Sequence, residues 1–375
     1  ATQGNLLPAN FNFVQPYLLI QAALNPGRVA YDIVAARKRL LAAEEQEQFA
    51  AVETLRAAAV QYYDLVLAQI QLANARQAVA DGDELLRITR VRAERGTGLA
   101  ADHTRARAVL AGRQQDLAVA LNAFYQASIR LATTLHLEPS VTLVPRADRL
   151  APTRLVREDL PIEDLLAIAV TWRPDLRAVR TLADAAGAES GSATWGTVFP
   201  QVSAAYQFSG VASDSTLGDF GLHEQNRAAV GASWSFGLAT PGQIRTAEAL
   251  ARQAGLEVER QFDAVRAQVV RAAQESATNA RLIPMAREQV TAAEESLRLT
   301  EANLKAGTVL TLDALQSADL VNDARLRYAK AVAAYNASQV NLLAALGLID
   351  AERLRAAPPP VPPAAPAPTT RPAGE

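Results

Sequence analysis

The side chains that most often carry acid–base or metal chemistry are sparse in this sequence and lie in unrelated places. Its three histidines are His103, His136 and His223, and no two of them have the spacing of metal ligands. The chain has no cysteine, which excludes disulfides, thiol catalysis and thiolate metal sites. It also lacks the HExxH, phosphate-binding and GxSxG motifs. The sequence therefore predicts neither an enzyme nor a bound cofactor or metal.

Two aspartates draw attention because each closes the same short motif. GTGLAAD begins at Gly96 and GTVLTLD at Gly307, so the two copies lie 307 − 96 = 211 residues apart. The shift holds beyond the motif, since ELLRITRVRAERGTGLAAD (84–102) lies over ESLRLTEANLKAGTVLTLD (295–313). We therefore predict a two-fold internal repeat that spans most of the chain. Residues related by this shift are called equivalent below.

The motif has the chemistry of a turn between two helices. Gly96 or Gly98 in the first copy, and Gly307 in the second, suit the left-handed conformation that ends a helix. Asp102 and Asp313 then fall in the first turn of the next helix, where a carboxylate caps free N–H groups. Capping is the structural interpretation of both aspartates.

Each copy is predicted to contain two long helices joined by this turn. Residues 28–94 lack proline and would form a helix about 100 Å long. Apolar residues recur at intervals of seven, which indicates left-handed coiled-coil packing. Pro284 should kink or break the first helix of the second copy. The heptad series are Leu65, Leu72, Val79 and Leu86; Leu110, Leu117, Phe124 and Leu131; Ile283, Val290, Leu297 and Leu304; and Val321, Tyr328, Tyr335 and Leu342.

Three segments alternate with the period of a strand: residues 11–24, 202–208 and 230–238. Pro16 favours an edge or irregular position for the first. Their length is close to the roughly 9–11 residues that a tilted strand needs to cross a bilayer. No apolar run approaches the roughly 18 residues of a membrane-spanning helix, so any membrane crossing would use strands. The edge of a soluble sandwich would show the same alternation, and both interpretations stay open. Residues 209–226 are predicted to be an exposed loop.

The patterns together predict a mainly α protein with a small β part. A helical pair broken at Arg173–Pro174 is expected between the copies. The counterpart of the helical segment and strand that precede the last strand of the second copy is expected before residue 1, unless the first copy is degenerate. The Pro-rich tail is expected to be disordered, as a spacer or a partner-binding segment. The predicted parts are a strand region (1–27), the first helical hairpin (28–138, tip turn 95–103), a crossover with two helices (139–195), strands with an exposed loop (196–241), the second hairpin (242–350, tip turn 306–314) and the tail (351–375).

The order of these motifs resembles that of the TolC-type outer-membrane efflux proteins. The resemblance extends to WRPDLRA (172–178), VFPQVSAAYQF (198–208) and LLAALGL (342–348), and it covers nearly the whole chain. It implies a homotrimer in the bacterial outer membrane, extending into the periplasm. Each subunit would give four strands to a shared β-barrel among the membrane lipids and long helices to a periplasmic α-barrel. The trimer would be a passive conduit that works with a periplasmic adaptor protein and an inner-membrane pump.

The resemblance also assigns roles to the two turns. In the family the turns form the periplasmic tip, meet the adaptor and narrow the entrance. The best-known member has two entrance aspartates three residues apart, and this sequence has Gln316 at the second position and Arg105 at the equivalent place in the first copy. A threefold ring of Asp313 would still concentrate negative potential. The implied adaptor contacts are Gly96, Thr97, Leu99, Gly307, Thr308 and Leu310, and the implied entrance residues are Asp102, Arg105, Asp313 and Gln316.

A second class of protein is compatible with long hairpins, namely a periplasmic adaptor or a soluble coiled-coil scaffold. Adaptors have one hairpin flanked by small β-domains, whereas this chain has two equivalent hairpins. A scaffold has no need of the alternating segment VGASWSFGL (230–238). Nucleic acid is not an expected partner, because the net charge is −2 and no basic segment occurs.

Overall fold

The computed structural model describes residues 13–14, 17–96, 100–145, 150–157, 159–214, 220–235, 237–305, 309 and 311–350 of the 375-residue chain. Long helices dominate, as the composition predicts. The elements in chain order are β1 (Phe13–Val14), β2 (Tyr17–Leu24), α1 (Pro26–Glu94), α2 (Ala100–Thr134), α3 (Ile162–Trp172), α4 (Pro174–Val198), β3 (Gln201–Asp214), β4 (Phe220–Ser233), α5 (Thr240–Lys305) and α6 (Thr311–Ala345).

The chain forms two compact units. The first, here called the strand unit, contains residues 1–44 and 177–260. The second, here called the hairpin unit, contains residues 45–176 and 261–375. The predicted tail, residues 351–375, and the predicted N-terminal strand lie outside the described residues.

Coiled-coil packing builds the hairpin unit. Leu65 and Leu72 of α1 pack with Phe124 and Leu131 of α2 in one buried cluster, as the predicted heptads require. In the second hairpin, Val321 lies in the equivalent cluster between α5 and α6. Every heptad residue whose side chain is described is buried or half-buried. The long helical hairpins are therefore confirmed.

Pro284 does not break its helix. The α5 helix runs without interruption from Thr240 to Lys305, with Pro284 inside it. Proline removes one backbone donor, so the carbonyl of Ala280 lacks its usual helical partner. Because Pro284 is exposed, water can reach this region, and packing along the rest of α5 holds the helix together. A break at Pro284 was the wrong expectation.

The two hairpins end at corresponding positions. Helix α6 begins and ends at the residues equivalent to the first and last residues of α2, and α5 ends at the residue equivalent to the last one of α1. His136 and Gly347 follow α2 and α6 in the left-handed conformation, with φ of 55° and 70°. At both ends the next residue donates its N–H to a carbonyl five residues earlier, as in a Schellman motif. The two-fold repeat stays a prediction, and these ends agree with it.

The predicted break at Arg173–Pro174 is confirmed and carries a buried ion pair. Helix α3 ends at Trp172 and α4 begins at Pro174. Arg173 donates to Asp175, with an Nη2–Oδ2 distance of 2.6 Å and side-chain exposures of 5% and 9%. Arg173 also donates to Gln268 of α5, and Asp175 accepts from Gln261. The sequence Arg-Pro-Asp thus ties the break to α5.

Two buried amides of α6 hold the crossover segment that precedes α3. The side-chain oxygen of Asn336 accepts from the N–H of Thr153 at 2.8 Å. The side-chain oxygen of Gln339 accepts from Val156 at 2.8 Å, and its amide nitrogen donates to Ser276 of α5. Val156 of this segment can be buried because Gln339 accepts a hydrogen bond from its backbone N–H.

The strand unit contains an antiparallel sheet. Strand β3 pairs with β4 on one side and with β1 and β2 on the other. The pairs Phe13–Ser213 and Tyr17–Ser209 belong to one register, so β1 and β2 continue one another on either side of residues 15–16. Among the described strands, β2 pairs with β3 alone, which agrees with the edge position predicted from Pro16.

The strands differ in extent from the predicted ones. Strand β3 continues to Asp214 and β4 begins at Phe220, so most of the predicted loop 209–226 is strand. Strand β4 ends at Ser233, and the predicted extension to Leu238 is wrong. Gly237 and Thr240 instead exchange two hydrogen bonds in a turn that starts α5. This turn leaves Leu238 fully exposed.

Candidate functional site

The first tip turn begins where the sequence predicted. Gly96 has φ of 68°, and its N–H donates to the carbonyl of Ala93 at 3.1 Å, so it ends α1 in the left-handed conformation. No atom lies within 4 Å of a Cβ added at Gly96. The turn is therefore an open surface at this residue. The other predicted adaptor contacts, namely Thr97, Leu99, Gly307, Thr308 and Leu310, lie outside the described residues.

Both predicted entrance aspartates lie in the first turn of a helix, Asp102 in α2 and Asp313 in α6. A carboxylate there interacts favourably with the positive end of the helix dipole. Asp102 also forms an ion pair with Arg105, with an Nη1–Oδ1 distance of 3.7 Å. Gln316 is exposed one turn after Asp313. The structure thus brings Asp102 and Arg105 together and places Gln316 beside Asp313 on one helix.

A matching pair of side chains precedes each turn. Arg87 donates to Glu84 on α1, and Arg298 donates to Glu295 at the equivalent positions of α5. These hydrogen bonds lower the pKa of both glutamates. Both pairs are exposed, so they contribute little stability. Their recurrence means that the two hairpins carry the same charge pattern near their ends.

One arginine joins the two hairpins, and the sequence analysis missed it. Arg113 of α2 donates from Nη1 to the carbonyl of Ala78 on α1 and from Nη2 to Asp319 on α6, at 3.0 and 2.6 Å. Its side chain is 9% exposed and that of Asp319 is 53% exposed. Because Arg113 donates hydrogen bonds both to α1 and to α6, it fixes the position of the first hairpin against α6.

The heptad pattern of the sequence contained a sign of the contact between Arg113 and Asp319, namely a charged residue at an apolar position. Arg113 lies three residues after Leu110, at the d position that a coiled coil fills with an apolar residue. The equivalent residue in the second hairpin is Ala324, which packs against Ala293. In the first hairpin the residue facing Arg113 is Gly82, where an added Cβ would lie 3.4 Å from the Arg113 Cδ. Glycine thus makes room for the arginine, and Ala293 and Ala324 occupy the equivalent positions.

The sheet of the strand unit has one apolar face. Residues directly opposite in an antiparallel pair share a face, so the register assigns every described side chain to one of two sides. Most of the large apolar side chains on this face are 39% to 82% exposed. Asn226 is its one polar member among the described side chains. The face consists of Leu18, Ile20, Ala22 and Leu24, of Val202, Ala204, Tyr206 and Phe208, and of Asn226, Ala228, Val230 and Ala232.

The opposite face carries small and polar side chains, with Tyr17 and Leu19 as its large exceptions. Arg227 lies in the middle of this face, in a row with Gln207 and Leu19. It is exposed, and it is the one charged residue among the strand side chains that the structure describes. The polar members are Gln21, Gln201, Ser203, Gln207, Ser209, Gln225, Arg227 and Ser233, and the small ones are Ala23, Ala205, Ala229 and Gly231. This side of the sheet is suited to water.

Among the described residues, no helix is long and apolar enough to cross a membrane.

Comparison with known proteins bears on the fold and the family. The outer membrane efflux protein family has a sequence model that matches residues 165–348. No curated protein matches the chain at a significant level.

Solved structures of membrane channels share the fold. A membrane protein from Pseudomonas aeruginosa is 19% identical with a TM-score of 0.73, covering 90% of this chain and 84% of its own. CusC, described as forming a transmembrane channel, has the same identity and TM-score and covers 90% and 83%. The MtrE outer membrane channel of Neisseria gonorrhoeae is 18% identical with a TM-score of 0.69, covering 90% and 81%.

The family match begins in α3 and ends after α6, so it includes the Arg173–Asp175 break, strands β3 and β4 and the second hairpin. The shared fold covers both hairpins. The fold is thus that of these solved membrane proteins, mostly helical with a small β part, and residues 165–348 match the outer membrane efflux protein family.

Proposed function

We propose that this protein is the outer-membrane channel of a tripartite efflux or type I secretion system. Three copies form a passive conduit, with the sheets in the membrane and the helical hairpins in the periplasm. The hairpin tips dock onto a periplasmic adaptor protein, which links the conduit to an inner-membrane pump. The pump supplies the energy and selects the cargo.

The two-faced sheet is the observation that carries this proposal. An exposed apolar face costs free energy in water, and large apolar patches mark contact with a partner or a membrane. A polar opposite face stays hydrated. A membrane strand with lipid on one side and a water-filled interior on the other has this alternation. One sheet with these two faces fits the wall of a channel.

The two hairpins support the adaptor contact. Their helices end at equivalent residues, so each subunit offers two tips of similar form. Around Gly96 the surface is open to a partner. We propose Gly96, Thr97, Leu99, Gly307, Thr308 and Leu310 as the contact residues, with Asp102, Arg105, Asp313 and Gln316 at the entrance.

Electron-microscopic imaging of the detergent-purified protein tests the assembly. A hollow cylinder with threefold symmetry is the expected result. A monomer or a solid rod would refute the conduit and favour the alternative of a periplasmic adaptor or soluble scaffold. The match of residues 165–348 to the outer membrane efflux protein family already disfavours that alternative.

A bulky residue at Gly96 tests the tip. Gly96→Trp should impair export and adaptor binding while the trimer still forms, because the side chain would project into open space at the tip. Gly96→Ala is the matched control, since it carries the same left-handed backbone strain without the bulk. Gly112→Trp controls for the bulk alone, since Gly112 is exposed in α2 and also has no atom within 4 Å of an added Cβ. Loss of the trimer in Gly96→Trp alone would mean that the turn serves folding, and normal export would remove Gly96 from the contact.

A further inference from the structure

The polar face of the sheet contains one charge whose effect the conduit proposal does not explain. Arg227 lies on β4 directly opposite Gln207 of β3, which in turn lies opposite Leu19 of β2. Among the members of this face whose side chains the structure describes, the others carry no formal charge. An unbalanced cation on an exposed surface affects every mobile ion nearby.

We propose that Arg227 is a selectivity-determining residue, which makes the sheet-lined part of the channel favour anions. The inference rests on the proposed conduit, because it needs the polar face to line the path of the ions. A charged side chain on the lipid side of a membrane strand is destabilising, whereas charges that face the lumen tune selectivity. The register places Arg227 on the side suited to water.

The surroundings leave this charge effective. Its described neighbours on the same face are the amides of Gln207 and Gln225 and the small side chain of Ala229. These groups can hydrogen-bond to a guanidinium, but they cannot neutralise it. Three subunits would place three such charges at one level. A unit charge about 10 Å away in water changes the local concentration of a monovalent ion about twofold.

The proposal gives the entrance and the sheet-lined part of the proposed conduit opposite preferences for the sign of an ion's charge. Asp313, proposed for the entrance, attracts cations, and Arg227 attracts anions. An organic cargo with both charges, or one bearing a carboxylate, would meet a favourable potential in the sheet region. The inferred contribution of Arg227 concerns ions in general and does not depend on which cargo the pump selects.

The experiment measures the reversal potential of the full chain in a planar lipid bilayer across a potassium chloride gradient. Low ionic strength is required, because at about 0.01 M the screening length is about 30 Å. Arg227→Gln should lower the chloride-to-potassium permeability ratio about fourfold, because the charge changes the anion and cation concentrations about twofold in opposite directions. Arg227→Lys should retain the wild-type ratio, since it keeps the charge. Repeating the comparison in an Asp313→Asn background prevents the entrance carboxylate from masking the effect.

A second variant moves the charge instead of removing it. Arg227→Gln combined with Gln207→Arg returns a guanidinium to the same face, one strand away. It should restore the wild-type ratio, which a merely structural role of Arg227 would not allow.

The remaining outcomes overturn the inference. An unchanged ratio in Arg227→Gln would do so and leave the conduit intact. Equal shifts in Arg227→Gln and Arg227→Lys would show that side-chain shape, and not charge, is responsible. Absence of any channel current from the correctly assembled wild-type protein would refute the conduit itself, and with it this inference.

Discussion

The second helix of each hairpin is followed by one residue with left-handed backbone. This residue is His136 after α2 and Gly347 after α6, so the residue type differs between the hairpins. Gly347 takes this conformation without steric cost, whereas His136 has a Cβ and takes it at φ of 55°. A Cβ added at Gly347 would lie 2.9 Å from the backbone of Arg173. His136 is exposed. Glycine is thus required at the second position by close packing as well as by conformation.

Gly347→Ala should destabilise the protein by about 2–4 kcal/mol, because backbone strain adds to a clash with Arg173. His136→Gly should change stability by less than about 1 kcal/mol, since relief of strain opposes the added freedom of the unfolded chain. Thermal unfolding of the purified protein, followed by helical circular dichroism, measures both. Equal effects of the two variants would contradict the role assigned to the Arg173 contact.

The buried pair Arg173–Asp175 permits a second test on single residues. Asp175→Ala should destabilise by about 3–5 kcal/mol, because it leaves a buried guanidinium without its counter-ion. The control is Asp159→Ala, since Arg157 and Asp159 form a pair with the same sequence spacing and exposures of 61% and 65%. That variant should unfold like the wild type. Similar losses in both variants would show that burial does not decide the strength of these pairs.

At the scale of elements, the two hairpins share their helix ends but differ in one contact. Gly82 and Arg113 in the first hairpin stand at the positions equivalent to Ala293 and Ala324 in the second. The alanines close a local cluster. The glycine instead lets Arg113 reach Asp319 on α6. Where the second hairpin has an apolar contact between two alanines, the first hairpin thus has an arginine that links it to the second.

Replacing the link by the alanine pair tests this account. Arg113→Ala should destabilise by about 1–3 kcal/mol, because it removes two hydrogen bonds and leaves a cavity. Adding Gly82→Ala should recover part of this loss, as the alanine pair packs in the second hairpin. Hydrogen exchange of α6 near Asp319 should remain faster than in the wild type in both variants. Full restoration of slow exchange by Gly82→Ala would contradict the linking role.

At the scale of the whole molecule, the alternation of the strands decides which side of the sheet would meet lipid in the proposed channel. Val230 and Ala229 are neighbours on β4, both exposed, and they lie on opposite faces. Val230 is 82% exposed on the apolar face. The two positions are therefore a matched pair at which a charged residue can be introduced on either face of the sheet.

Val230→Lys should cost about 2–4 kcal/mol if the position lies near the middle of the bilayer, and it should reduce the amount of trimer in the outer membrane. Ala229→Lys should be tolerated, because its side chain enters the hydrated interior. Membrane fractionation, followed by electrophoresis without boiling, measures the assembled fraction. Tolerance of lysine at Val230 with loss of assembly at Ala229 would reverse the proposed orientation of the sheet.

The strand boundaries show where sequence reasoning was insufficient. Residues 209–214 and 220–226 are rich in Gly, Ser and polar side chains, which favour loops, yet most of them pair in a single register that extends β3 and β4. Trp234 and Leu238 alternate like strand residues, but the turn made by Gly237 and Thr240 has already begun α5. Pairing partners and turn geometry are tertiary facts that a local pattern does not contain.

The sequence by itself determined the helical hairpins, their heptad faces and the break at Arg173–Pro174, because these follow from local periodicity and backbone preference. The tertiary structure alone decided the strand register, the pairing of Arg113 with Asp319 and the continuity of α5 through Pro284. Each of these features depends on contacts between residues that are distant in the chain, and such contacts can outweigh the conformation that the local sequence favours. For the same reason, Arg227 became a candidate only when the register placed it on the polar face of the sheet.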